Sequence, residues 1–443
     1  MNTNVEFRIS RKSLLLTSLL VVVLVSSLFV CVFVMNGFSG ASLENAVHVK
    51  NEAELKNAIN NAPDGKPITI ALDNDITLTS YEEQSYTYNY QVAALIIPAD
   101  KDITLTSNRS NGFYKLIGAV ETENHMDTIL VGGGGILRLD GIIVTHKNGF
   151  LGRGVHIQSI GSDGVLYLYS GEISGNTVKS PFSGGGVSNV GTFIMSGGKI
   201  SGNTAGHSDG GVYTGGTFVM TGGEISGNTA GSCGGGVGTG YYGSFTMSGG
   251  IISDNTAMYG GGGVYLDIFS DCVLFGGEIF GNKAFDRGGG VFNSGASSFI
   301  VSGGTIFDNS AEEGGGVYHG GEFFTMSGGR ITGNSAILGG GVYVHNNFEF
   351  NGQGGVISDN TATDKGNNIY PNDDGGGSSN GGGLRSGGNG GTSNGNGEGT
   401  FVGDGFSLRD ISLICVGVVV GVVVVVLFFA FKKEVKGAKE KIM

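Results

Sequence analysis

Residues Gly234–Ala257 read GGGVGTGYYGSFTMSGGIISDNTA, and this stretch decides the fold. Its middle run, Ser244 to Ser248, alternates: Phe245 and Met247 point one way, Ser244, Thr246 and Ser248 the other. That is the period-two pattern of a strand with one buried face. Two further short apolar runs flank it, each bounded by glycine, and none is long enough for a helix. The same pattern returns eight times between residues 171 and 370. Its asparagine marks each return: Asn176, Asn203, Asn228, Asn255, Asn282, Asn309, Asn334 and Asn360, at intervals of 27, 25, 27, 27, 27, 25 and 26 residues. A fixed period of this length belongs to stacked repeats, in which each unit buries its apolar side against its neighbours. Three short strands and three turns per repeat fit one coil of a parallel β-helix.

Equivalent positions line up as ladders of like residues. One holds Phe193, Phe218, Phe245, Cys272, Phe299, Phe324 and Phe350; the position two residues on holds Met195, Met220, Met247, Leu274, Val301 and Met326. Isoleucine recurs from Ile173 to Ile357 and valine from Val187 to Val342. The asparagines are expected to form a hydrogen-bonded ladder at a turn, with glycines at the corners supplying positive φ. The paired elements GGGV and I-x-x-N, as in Ile279-Phe280-Gly281-Asn282 before Gly288-Gly289-Gly290-Val291, resemble the repeats of the chlamydial polymorphic outer-membrane proteins. Adhesin-like surface proteins of archaea, Gram-positive bacteria and some protozoa carry similar repeats. The resemblance covers residues 171–370 and implies a right-handed, pectate-lyase-like parallel β-helix at a cell surface. The chain departs from the chlamydial proteins in having no C-terminal segment that reads as an outer-membrane barrel.

The rest of the chain is organised around this array. Residues 1–41 carry Arg8, Arg11 and Lys12 ahead of an apolar run from Leu14 to Met35, and read as a cleaved signal peptide or a retained signal anchor. Residues 42–170 are expected to hold a capping helix over Leu43–Asn61, irregular coils with strands at Ile68–Leu72, Ile76–Thr79, Ala94–Ile97 and Ile103–Thr106, and a protruding tyrosine-rich loop at Ser80–Gln91. Residues 371–410 are rich in Gly, Ser and Asn and read as a stalk. Residues 411–431 form a 21-residue apolar stretch long enough to span a bilayer, and the lysine-rich tail 432–443 marks the cytoplasmic side. The expected topology is single-pass, with the solenoid outside and the first segment as a second span if retained. Gly417 and Gly421 form a GxxxG that offers a weak self-association face.

Composition narrows the function. Glycine accounts for 87 of 443 residues without a G-X-Y period, and only 5 prolines are present, which excludes collagen. A formal net charge of −13 argues against nucleic acid, whose phosphates need a basic face. No cofactor motif is present. Asp254, Asp308 and Asp359, each before a ladder asparagine, are the nearest thing to a catalytic row, but other repeats place glycine there, so turn residues are the expectation. Asp209, Asp286, Glu312 and Glu313 share a loop row, yet the calcium-binding nonapeptide is absent. Cys272 occupies a Phe slot as a buried thiol and Cys233 lies at another phase, so no disulfide is expected. The seven histidines, including His125, His146, His156, His207, His319 and His345, show no metal-ligand spacing and are expected at the surface. Asn108-Arg109-Ser110 matches a glycosylation acceptor.

The function expected is that of a membrane-anchored adhesin-like protein presenting a rigid, repetitive face to glycans or other cell surfaces. Tyr213, Tyr241, Tyr242, Tyr259, Tyr265, Tyr318 and Tyr343 are the candidate contacts, set against the plain alternative of a β-favouring outward ladder. A tethered polysaccharide lyase or hydrolase and a passive surface coat are the rivals. The former would show acids converging with Arg or Lys on one face of adjacent coils.

Overall fold

A computed structural model describes residues 43–86, 89–107, 112–120, 125–345, 348–371 and 399–400. The expected N-terminal and C-terminal membrane segments and the glycosylation motif lie outside the described residues, as does nearly all of the expected stalk. Gly399–Thr400, within that stalk, pairs antiparallel with Val356–Ile357. Among the described residues no helix is long and apolar enough to cross a membrane.

The described chain is a parallel β-solenoid of about 11 turns. At one strand spacing per coil it rises roughly 50 Å. Three main rows of short strands, with a fourth row of two-residue strands from Thr177–Val178 to Lys283–Ala284, build the coils of the repeats, and the residue ladders read from the sequence are the register of the main rows. Val187 pairs with Val212, Val212 with Val237, and so on to Val342. The Phe and Ile rows follow the same rule from Phe193 to Phe350 and from Ile173 to Ile357. Phenylalanine rings stack at 4.6 Å between Phe193 and Phe218, 4.9 Å between Phe218 and Phe245, and 5.2 Å between Phe299 and Phe324. Cys272 interrupts this stack and is buried and free, as is Cys233. Burying each such ring contributes about 2–3 kcal/mol.

The asparagine ladder runs unbroken from Asn176 to Asn360. Each amide nitrogen donates to the next asparagine's Oδ1 at 2.9–3.0 Å, and that oxygen also accepts the backbone N–H of the asparagine before it at 3.0 Å. The residue just before each ladder asparagine has positive φ, from 54° at Asp308 to 67° at Gly333. Only Gly, Asn and Asp adopt that conformation readily, which accounts for the irregular exchange of Asp and Gly at this position.

Four expectations change. The capping helix, α1, spans Glu52–Asn60 rather than Leu43–Asn61, because Val47–Val49 is taken up as a strand beside Ile70–Leu72. Asn51 caps α1 by accepting the Glu54 N–H, and Leu55 and Ile59 seal the first coil. Ser80–Gln91, expected as a protruding loop, carries strand structure: Glu82–Tyr86 pairs antiparallel with the start of Asn89–Ile97. His146 and His319 are buried, not superficial. His146 takes the ladder position one coil before Asn176 and bonds its Oδ1 at 2.9 Å. His319 lies in a second buried polar row, accepting from Asn293 at 3.0 Å and bonding the Glu349 carbonyl at 3.2 Å.

Candidate functional site

The candidate tyrosines fall into three groups. Tyr213, Tyr265, Tyr318 and Tyr343 occupy the central, outward position of the valine-row strands, in register with Gly238 between Tyr213 and Tyr265 and with Phe292 between Tyr265 and Tyr318. Tyr318 and Tyr343 stack at 5.1 Å, and Phe292 meets Tyr318 edge-on at 5.0 Å. Tyr318 is only 3% exposed, so it packs within the row and does not face a ligand. Tyr259 stands in the loop before this strand row. Arg287 donates to its hydroxyl at 2.8 Å, lies 5.1 Å over the Tyr318 ring and pairs with Glu313 at 3.3 Å. The Arg287 cluster satisfies its own charges and roofs Tyr318.

Tyr241 and Tyr242 behave differently. They sit in the turn that follows the strand Val237–Thr239, and one coil on the same turn carries Ile268 and Phe269. Tyr242 and Phe269 stack at 5.5 Å with planes 19° apart, and Tyr241 meets Phe269 edge-on at 5.3 Å. Exposure is 56% for Tyr241, 67% for Tyr242 and 45% for Phe269. Both Tyr242 and Phe269 adopt φ of 60°. A bulky side chain there costs on the order of 1 kcal/mol or more, and a folding benefit is hard to find for an exposed ring. The turn before them, Gly215-Gly216, has no side chains, so the aromatic pair forms a raised platform beside a bare step.

Next to the platform the chain breaks its own rules again. Where neighbouring coils place Gly184, Gly234, Gly261 and Gly288, all at positive φ, this coil places Asp209 at φ 66°. Its carboxyl is 4% exposed and Oδ1 has no hydrogen-bond partner. The carboxyl reaches over Gly238 in the next coil: a Cβ on Gly238 would lie 1.6 Å from Oδ1, so only glycine fits beneath it. Tyr213 leans across the same boundary, and a Cβ on Gly240 would lie 2.3 Å from its hydroxyl. Asp267 accepts from the Tyr265 hydroxyl at 3.4 Å. Burial, reinforced by the charge of Asp267, pushes the Asp209 carboxyl well above the usual carboxylate range, against the pull of a hydrogen bond from Ser183. Burial and both carboxylates also push the Tyr213 hydroxyl up, while Arg153 acts in the opposite sense.

A second polar cluster lies up the solenoid. Asp127 is buried and binds Arg153 at 3.2 Å and His156 at 3.4 Å. Burial opposes its charge, yet Arg153 and His156 hold its carboxyl well below the usual range. Arg153 continues to the Ser183 carbonyl at 3.1 Å, which connects this cluster to Asp209. Asp127, Gly238 and Phe269 are not singled out by the sequence, and Asp209 is read there only as one of a row of loop acids. The signal that does exist for Asp209 is the lone carboxylate in a column of glycines.

Among the described residues no three His, Cys, Asp or Glu side chains converge as a metal site. The arrangement offers stacking surface, tyrosine hydroxyls and a buried carboxyl that is hydrogen-bonded only in part. No family model, curated protein or solved structure matches this chain.

Proposed function

We propose that this chain is a membrane-anchored surface protein of the adhesin-like kind, which binds glycans through the Tyr241–Tyr242–Phe269 platform and the adjoining Tyr213–Tyr265 strand face. The observation that carries the reading is the exposed, stacked aromatic pair held at φ of 60° in successive coils. Aromatic faces pack against the apolar C–H face of a sugar ring while neighbouring hydroxyl and carboxyl groups take its hydroxyls. The display geometry comes from the sequence: apolar segments at both ends, basic residues flanking them, and a glycine-rich stretch before the second. The resemblance of the repeats to those of adhesin-like surface proteins agrees with it. Tyr259 and Tyr343, tied into the Arg287 cluster and its stack, extend the face away from the platform.

Full-length protein is screened on a glycan array and its Y242A and F269A variants on the retained sugars. Retention that both variants lose supports the reading; retention indifferent to both refutes it, and no retention favours a passive coat. A second reading, polysaccharide cleavage, draws on the raised carboxyl of Asp209 acting with Asp267 nearby, the environment of a general acid. Release of reducing ends that D209N abolishes would select it.

A further inference from the structure

We propose that Asp209 receives a cationic amine of the bound ligand, with Tyr213 and Tyr265 as aromatic walls and Asp267 as a second anion. The proposal rests on the glycan-binding reading for the carrier, which is then an amino sugar with a free amine.

The argument starts from what Asp209 lacks. Among the described residues no Lys or Arg pairs with Asp209 or with Asp267. A buried carboxylate without a counter-charge is strongly unfavourable, and the coil could have avoided it with the glycine used at the same position elsewhere. Its free Oδ1 stands over Gly238, the one gap in the aromatic row, between rings two rungs apart. A neutral hydroxyl would satisfy the oxygen but leave the carboxyl protonated beside Asp267. An ammonium supplies three donors and the missing charge, and tyrosine faces attract a cation electrostatically. The amine reaches Oδ1 by displacing the Tyr213 ring, which lies against Gly215 and Gly240 and so has no side-chain wall at those two positions.

Amine binding favours the ionised carboxyl, so a proton leaves as the ligand enters. The groups facing Asp209 are Asp267, Tyr213, Tyr265, Cys233 and, through Ser183, Arg153. The upward shift that burial gives the Asp209 carboxyl identifies it as the source of that proton.

The test is calorimetric titration of the full-length chain at pH 6 with a β-1,4-glucosamine tetramer and with its fully N-acetylated counterpart, in two buffers of different ionisation enthalpy. The expected result is binding of the free-amine tetramer at least about tenfold tighter than the acetylated one. Its enthalpy should depend on the buffer, and D209N should lose both the preference and that dependence. Asparagine tolerates positive φ, so D209N keeps the turn, and an unchanged or raised unfolding temperature verifies that it folds. Equal binding of the two tetramers, or a preference that survives in D209N, overturns the proposal. If equal binding is also lost in Y242A, the amine site fails while the glycan-binding reading stands. If neither tetramer binds, the proposal falls, and the glycan array alone decides the reading.

Discussion

Asn255 sits in the middle of the ladder, and Asn255→Ala removes four hydrogen bonds without altering the coil's outline. Its amide donates to Asn282 Oδ1 at 3.0 Å and to the Ile225 carbonyl at 2.9 Å. Its oxygen accepts from the Asn228 backbone N–H at 3.0 Å and the Asn228 amide at 2.9 Å. Two of the bereaved groups keep a second partner: the Asn228 amide retains Ile200, and Asn282 Oδ1 retains the Asn255 backbone N–H. The Asn228 N–H keeps none. One orphaned buried donor costs about 1–3 kcal/mol and each weakened group about 0.5–1 kcal/mol, so the variant should lose about 2–5 kcal/mol. Asn255→Asp should lose more, because it faces two acceptor oxygens with a third and buries a charge. Chemical unfolding followed by circular dichroism measures the loss. Hydrogen exchange locates it, with protection falling in the coils on either side of residue 255 before those near α1. A loss below about 1 kcal/mol, or Asn255→Asp as stable as the parent, would show that the ladder is a consequence of stacking and does not hold it together.

Three shorter predictions follow from the same geometry. Tyr242→Gly relieves a ring held at φ of 60° and should leave stability unchanged or raise it by up to about 1 kcal/mol, while glycan retention disappears. Destabilisation measured by thermal unfolding would mean that the platform serves the fold. Burial pushes the His319 imidazole down to about 4 despite a hydrogen bond with the Glu349 carbonyl that pulls it up. The unfolded chain takes up that proton near pH 6.5, so stability is fullest above pH 6.5 and falls by about 2–3 kcal/mol as pH drops towards 4. His319→Asn, which repeats the residue at Asn293 one coil earlier, should flatten that slope in denaturant titrations at pH 4.5 and 7. Burial pushes the Cys233 and Cys272 thiols up, so neither should alkylate at pH 8 without unfolding, and site-resolved mass spectrometry that found Cys272 labelled in the native state would contradict its placement.

The core was legible because every coil asks the same question of its residues. A Phe, a Met-like residue, an Ile and a Val recur at fixed phase, and period two assigns them all to one face, so composition and spacing together give the register. The second polar row was not legible, because Asn189, Thr214, Thr239, Asn293 and His319 share only a register and not a residue type. His146 escaped because it precedes Asn176 by 30 residues, off the beat of the repeats, and is a different side chain playing the same part. Tyr213, Tyr265, Tyr318 and Tyr343 read as one outward row because each follows a valine, and Tyr241, Tyr242 and Tyr259 lie in the adjoining turns. Their fates diverge through neighbours in other coils: Arg287 covers Tyr318, whereas the side-chain-free step at Gly215 leaves Tyr242 standing proud.

Repetition makes departures informative. In a globular domain a buried aspartate at positive φ has no control against which to judge it. Here the coils on either side place glycine at the same backbone position, so the cost of Asp209 is a difference within one molecule. Tyr242 and Phe269 repeat one such departure in successive coils, each at φ of 60°, where the preceding coil makes the shorter turn Gly215-Gly216. Two bulky side chains held at φ of 60° and a buried carboxyl with an unpaired oxygen fall within three successive coils. A solenoid can hold such strain locally, since each coil is supported only by its immediate neighbours and the damage does not spread along the stack. Random drift would scatter departures over all the coils and would erode buried ones first, because they are the most unfavourable. The bulky pair at positive φ, Tyr242 and Phe269, stands in successive coils beside the single gap in the aromatic row, and it is this pairing that the glycan-binding proposal draws on.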